Sequence, residues 1–198
     1  HYQEETLEQL GRFLRAARTD GIADAFAAHA HPDSETTLVP EYRPLRDKDG
    51  AELPSLRAVP YVAIRIPTGG GKTLMGAHFI RCAADHWLER ERPLVVWLVP
   101  SRTIKQQTLE ALKNRRHPYR RELDDAFGGQ VSVLDSDDIE QLTPQELATR
   151  TCIVVATMAA ARVHDIDIRD FYAHKEALEP HFIALPKDSV PSDLEQTE

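Results

Sequence analysis

No stretch of this 198-residue chain is apolar for long enough to span a bilayer, and no positively charged leader with an apolar centre opens it. The expectation is a cytoplasmic protein without membrane contact. Cysteine is scarce. Cys82 and Cys152 are the only two, too few for a disulfide framework, and their apolar surroundings fit structural thiols in a reducing compartment. The nine histidines are scattered without metal-ligand spacing. Positive charge is in deficit: the net charge is −8 and the isoelectric point about 5.6, which excludes a protein that coats nucleic acid through overall charge. There is no internal repeat. The first residue is His1 rather than Met, so the expectation is that the natural start has been lost. With 41% hydrophobic and 28% charged residues, composition is that of an ordinary globular chain able to build one substantial core.

What the chain does carry is a glycine loop in a suggestive setting. Residues 61–66 (Tyr-Val-Ala-Ile-Arg-Ile) are apolar and β-branched enough for an inner strand. Pro67, Thr68, Gly69, Gly70, Gly71, Lys72, Thr73 and Leu74 follow. The three glycines remove the side chains that would hold the backbone away from a phosphate, so that their N–H groups can turn inward together. Lys72 brings a point charge to the β- and γ-phosphates, Thr73 a hydroxyl for Mg²⁺, and the helix that starts here aims its positive dipole end at the anion. A literal G-x-x-x-x-G-K-T search fails, because Ile66 stands where its first glycine belongs. The shorter Pro-Thr-Gly-x-Gly-Lys-Thr form is intact. Met75, Phe79, Cys82, Ala83 and His86 then recur at helical spacing as a packing stripe.

Elsewhere the periodicity alternates between helix and strand. Residues 3–18 place Leu7, Leu10, Leu14 and Ala17 on one helical face, with Glu4 and Glu5 near the start and Arg15 and Arg18 near the end, as the helix dipole favours. Residues 22–29 suggest a second short helix, and the proline-bearing stretch 31–60 a connector. Leu94 to Val99, bounded by Pro93 and Pro100, reads as a second inner strand. A helix follows it. Thr103 and Gln106 have capping-box spacing, Ile104, Leu109 and Leu112 can face a sheet, and Lys105 and Lys113 point outward. A helix over 119–127 stopped by Gly128 and Gly129, a strand over 131–134, a helix capped by Thr143 with Pro144 at its first position, and a strand over 152–156 complete the order. Alternation of this kind implies right-handed crossovers and a doubly wound parallel α/β sheet, with ligands at the strands' carboxyl ends.

One charged run stands out. Lys105, Lys113, Arg115, Arg116, Arg120 and Arg121 crowd together against only Glu110 and Glu122. It can be a solvated helix face or, in part, a contact for nucleic acid.

Three segments, in this order, resemble the first motor domain of a superfamily 2 DEAD/DEAH-type helicase or translocase. Pro67 to Thr73 resembles motif I. Leu98-Val99-Pro100-Ser101-Arg102-Thr103-Ile104-Lys105-Gln106 resembles motif Ia, and Ile153-Val154-Val155-Ala156-Thr157 is similar to motif Ic. The wording around them is closest to the helicase subunit of type III restriction enzymes and related phage-defence helicases, over roughly residues 59–162. The resemblance implies an incomplete RecA-like P-loop fold using ATP and Mg²⁺. It implies, too, that Ser101, Arg102, Thr103 and Thr157 touch the phosphodiester backbone of DNA, in a groove along the edge where strand carboxyl ends and glycine loop would meet. The expected organisation is a helical appendage and connector over 1–57, a partial RecA-like domain over 58–165, and a tail or insertion over 166–198 that stops before the Walker B strand. Partners implied are the remaining motor domain, a nuclease domain, and a methyltransferase or specificity subunit.

Two departures from the family pattern matter. An Asp-Glu pair that would hold Mg²⁺ and orient water does not follow Thr157. Residues 131–135 end in Asp135 with no Glu after it, and because they precede the motif Ic-like strand Asp135 is read as a decoy. The isolated chain is therefore expected to bind ATP with negligible turnover. A glutamine contact for adenine is also missing from the connector, which offers only Tyr42, Arg43 and Arg46. Two other readings stay open, a small-molecule or nucleoside kinase using Asp135, and a non-catalytic assembly fragment.

Overall fold

The computed structural model describes residues 2–30, 42–46, 50–52, 58–161 and 176–183. The chain divides into two units, residues 1–89 and 90–198, so the glycine loop belongs with the amino-terminal helices. Most of the expected connector over 31–60, and most of 166–198, lies outside the described residues.

The first unit is helical. α1 (Tyr2–Thr19) carries Glu4 and Glu5 in its first turn and Arg18 in its last, and it buries Gly11, Leu14 and Ala17. α2 (Ile22–Ala30) adds Ile22 and Ala25 to a small cluster with Ala17, against which Phe13, Ala16, Tyr42 and Trp87 pack. α3 (Lys72–Ala83) buries Met75, Ala77 and Cys82 and runs on into a single π turn, Ala84–Leu88. Gly11 is needed where α1 meets that turn: a Cβ there would stand 3.0 Å from the His86 ring.

Residues 61–66 do not form the inner strand expected of them. They adopt no regular structure, and Tyr61, Val62, Ala63 and Arg65 are exposed. The reason is that a strand exists only as one side of a ladder. Apolar, β-branched composition favours the extended backbone but supplies no partner, and among the described residues none pairs with this segment. Tyr61 instead donates its hydroxyl to the Arg43 carbonyl and leans on Tyr42 with ring centroids 6.0 Å apart.

The second unit is a three-stranded parallel sheet with helices, the architecture of an incomplete RecA-like α/β domain. β1 (Leu94–Val99), β2 (Val131–Asp135) and β3 (Thr151–Thr157) lie in the order β1-β3-β2. β3 is central, and Thr151 through Ala156 are buried. β1 is an edge strand among the described residues rather than an inner one, and alternate residues Leu94, Val96 and Leu98 are exposed. α4 (Arg102–Lys113) buries Thr108, Leu109 and Leu112 against the sheet. α5 (Pro118–Ala126) closes with the Gly129 N–H on the Asp124 carbonyl, 2.7 Å. α6 (Pro144–Thr149) has Thr143 as its cap, the hydroxyl accepting from the Glu146 N–H at 3.2 Å, and Pro144 at its first position. A four-residue helix, α7 (Met158–Ala161), follows β3.

Candidate nucleotide and nucleic-acid sites

The glycine loop is shaped by its own backbone. The Pro67 carbonyl accepts the Gly70 N–H at 3.0 Å and the Lys72 Nζ at 2.9 Å. Gly69 and Gly71 sit in the left-handed region at φ 78° and 80°, where a side chain would be strained. Gly71 is the residue ahead of α3 and no side chain caps that helix. Among the described residues its first-turn N–H groups are thus left for an acceptor from outside, the arrangement that suits a phosphate. Lys72 is exposed, whereas Thr73 and Leu74 are half-buried at the start of α3. At Gly70 a Cβ would stand 2.8 Å from Ile66 Cγ2, 2.9 Å from Tyr2 Oη and 3.0 Å from the Pro67 oxygen. At Gly70 the cradle therefore has no room for a side chain.

Tyr2 and Gln3 were missed by sequence reasoning, which looked for further contacts only in the connector. Tyr2 Oη and Gln3 Nε2 both donate to the Gly70 carbonyl, at 2.8 and 3.0 Å. An aromatic-glutamine pair opening an amphipathic helix, off its apolar stripe, was the available clue. The connector residues are engaged within the first unit instead: Tyr42 packs on Phe26 of α2, and Arg46 bonds the Gly50 carbonyl and Glu52.

In the second unit, β1 and β3 bring the other expected residues to one edge. Val99 is register partner to Thr157, both at strand carboxyl ends. Ser101 caps α4, its Oγ accepting the Ile104 N–H at 3.3 Å. That corrects the cap expected at Thr103, and Gln106 is turned to Glu110 at 3.1 Å rather than back to the helix start. Arg102 and Thr103 are exposed in the first turn of α4. Thr157 accepts the Ala160 N–H at 3.2 Å and so shapes the start of α7. Ile104, expected to face the sheet, is exposed, while Leu109 and Leu112 do face it.

Asp135 ends β2 on the same side but is already engaged. Its Oδ1 accepts from Lys105 Nζ at 2.6 Å and from the Asp137 N–H at 3.0 Å, and Asp137 Oδ2 takes a second Lys105 contact at 3.0 Å. Burial pushes the Asp135 carboxyl up, yet the Asp137 N–H and Lys105 together hold it below the usual carboxylate range. Burial likewise pulls Lys105 down, and its bonds to Asp135 and Asp137 outweigh that and raise it. Lys105 therefore does not point outward as its helical position suggested. Arg120 leaves the basic run in the same way. It is buried, donating to the Leu112 and Val131 carbonyls at 3.1 and 2.9 Å and to Asp124 at 2.9 Å. Both cysteines are buried, and burial, helped by Glu146, pushes the Cys152 thiol up to about 11, far from a working nucleophile. Among the described residues no three His, Cys, Asp or Glu converge to hold a metal ion, and no helix is long and apolar enough to cross a membrane.

A glycine loop opening a helix in one unit, and parallel strands with helices in the other, define an α/β protein of the RecA-like class, incomplete in its sheet. The family model for the DEAD/DEAH box helicase matches residues 53–176, more than half of the chain. The chain belongs to that family, whose members use ATP with Mg²⁺, hydrolyse it and bind nucleic acid. No curated protein and no solved structure matches it.

Proposed function

We propose that this chain is the nucleotide-binding portion of an ATP-driven DNA helicase or translocase serving restriction or phage defence, and that it binds ATP without appreciable turnover by itself. The observation that carries the reading is the uncapped start of α3 behind a glycine loop too tight for any Cβ at Gly70. Residues of this loop fit a nucleotide's phosphates: backbone N–H groups and the dipole of α3 attract the anion, and Lys72 exchanges the Pro67 carbonyl for a phosphate oxygen. The Thr73 hydroxyl would hold Mg²⁺, which neutralises phosphate charge when bound. Tyr2 and Gln3 hold the Gly70 carbonyl to one side, so the Gly71 N–H on the opposite side of that peptide is presented to the ligand.

The residues at the sheet's carboxyl edge supply the second half of the reading. Arg102, with the N–H groups around Ser101, Thr103 and Thr157, grips phosphates without reading bases. The kinase reading gains no support, because the carboxylate it needs, Asp135, is held by Lys105. Titration of the chain with a fluorescent ATP analogue and Mg²⁺ tests the nucleotide half. Lys72→Ala and Gly70→Ala should each weaken binding by about tenfold or more, corresponding to about 1.4 kcal/mol, and unchanged affinity in both would sink it. For the DNA half, Arg102→Ala and Thr157→Ala should lower single-strand affinity while sparing nucleotide binding.

A further inference from the structure

Four exposed cations from the basic run, Lys113, Arg115, Arg116 and Arg121, lie far from the carboxyl-edge loops just described. α4 leaves that edge at Arg102 and delivers Lys113 eleven residues later, about 16–17 Å along the helix axis. Buried Arg120 settles where this end sits. It bridges the Leu112 carbonyl to the carbonyl of Val131, the first residue of β2, so the turn after α4 lies at the amino-terminal edge of the sheet. Arg150 directly precedes β3 and Arg92 comes two residues before β1. The Cys152 N–H on the Pro93 carbonyl, 3.2 Å, and the Thr151 N–H on that of Gln130, 2.8 Å, join the starts of all three strands along this edge.

The turn is ordered rather than loose. Asn114 Oδ1 accepts the Arg116 N–H at 3.0 Å, the Asn114 carbonyl accepts the His117 N–H at 2.9 Å, and His117 Nδ1 caps α5 through the Tyr119 N–H at 3.3 Å. Among the described residues no carboxylate forms an ion pair with Lys113, Arg115, Arg116 or Arg121, and Glu110 already receives Gln106. Residues 113–117 contain no apolar side chain. A protein partner would look for an apolar centre; a phosphodiester backbone needs only spaced, solvated cations.

We propose that this amino-edge turn is a second nucleic-acid surface, binding the backbone of a duplex away from the single-strand track at the carboxyl edge. It rests on the reading that the chain handles nucleic acid. The separation of about 16–17 Å equals about five nucleotides of rise at 3.4 Å each, so the two surfaces engage different segments. Duplex on one edge and single strand on the other is what a motor at a junction meets.

The test uses the whole chain, a labelled duplex of about 20 base pairs and a single strand of equal length, titrated from about 50 to 200 mM salt. In the variant Lys113→Gln/Arg115→Gln/Arg116→Gln, duplex affinity should fall at least about tenfold, and the slope of log affinity against log salt should shrink by about 2–3, near 0.9 per lost phosphate contact. Single-strand binding and the thermal midpoint should hold, because the altered side chains are exposed. A control with the same charge change, Arg12→Gln/Arg46→Gln/Arg81→Gln, should bind duplex like wild type. Unchanged duplex affinity and slope in the first variant would overturn the proposal. So would an equal loss in the control, or competition by polyglutamate as effective as that by duplex. If Arg102→Ala costs nothing on single strands while the amino-edge variant loses duplex, the carboxyl-edge track fails and this surface stands.

Discussion

Lys105 and Asp135 offer the sharpest test of how the second unit is held. Lys105→Met removes a cation whose Nζ lies 2.6 Å from Asp135 Oδ1 and 3.0 Å from Asp137 Oδ2. The Lys105 and Asp135 side chains are 12% and 18% exposed, so their charge-assisted bond is worth about 1.5–3 kcal/mol. Asp137 is 78% exposed, and solvent screening leaves its share at a few tenths. The expected loss is about 2 kcal/mol, or about 4–8 °C in thermal midpoint for a chain of this size. In a double-mutant cycle with Asp135→Asn, the coupling should be about 1–2 kcal/mol at neutral pH. The pH window follows from the shifts. Asp135 is depressed when folded, so its contribution is complete above its ordinary value of 3.8 and fades as pH falls through the lower folded value. Lys105 is raised, so its contribution is complete below 10.5 and fades as pH rises through the higher folded value. Coupling should therefore be flat from about pH 5 to 9 and shrink in acid. Urea unfolding of the four proteins at several pH values measures it. A coupling below about 0.3 kcal/mol at neutral pH refutes the pairing. Loss of Mg²⁺-dependent ATP turnover in Asp135→Asn at wild-type stability would show instead that this carboxylate serves the metal.

Arg120→Met should cost about 3–5 kcal/mol, since it strips the donor from two carbonyls and a carboxylate in a buried place. The urea midpoint should fall with its slope unchanged, and a loss under about 1 kcal/mol would mean those carbonyls find other donors. Thr151 is fully buried and its Oγ1 has no hydrogen-bond partner among the described residues. Thr151→Val should therefore stabilise the chain by about 1 kcal/mol, seen as a midpoint about 2–4 °C higher, and a destabilised variant would reveal a hidden partner for the hydroxyl.

Much of the secondary structure was legible because its causes are local. α1, α5 and α6 follow from apolar spacing, caps and stops within a turn or two, as with Thr143 reaching Glu146. The three observed strands stand where apolar runs sit between turn residues, and the glycine loop with Lys72 and Thr73 announces itself in seven consecutive residues. Long-range partners were invisible. Residues 61–66 look like a strand, but a ladder is a property of two segments and the chain provides no second one for it among the described residues. Lys105 and Lys113 share an outward-looking helical pattern, yet only Lys105 meets carboxylates, Asp135 at the end of β2 thirty residues later and Asp137 just beyond it. Arg120 reads as one more cation until three acceptors from α4, α5 and β2 surround it. Tyr2 and Gln3 reach Gly70 across 68 and 67 residues of chain. Periodicity and capping act within a few residues and can be read in order along a sequence. The environment that decides whether a charge is buried, paired or free is assembled by packing, and exists only once distant segments have met.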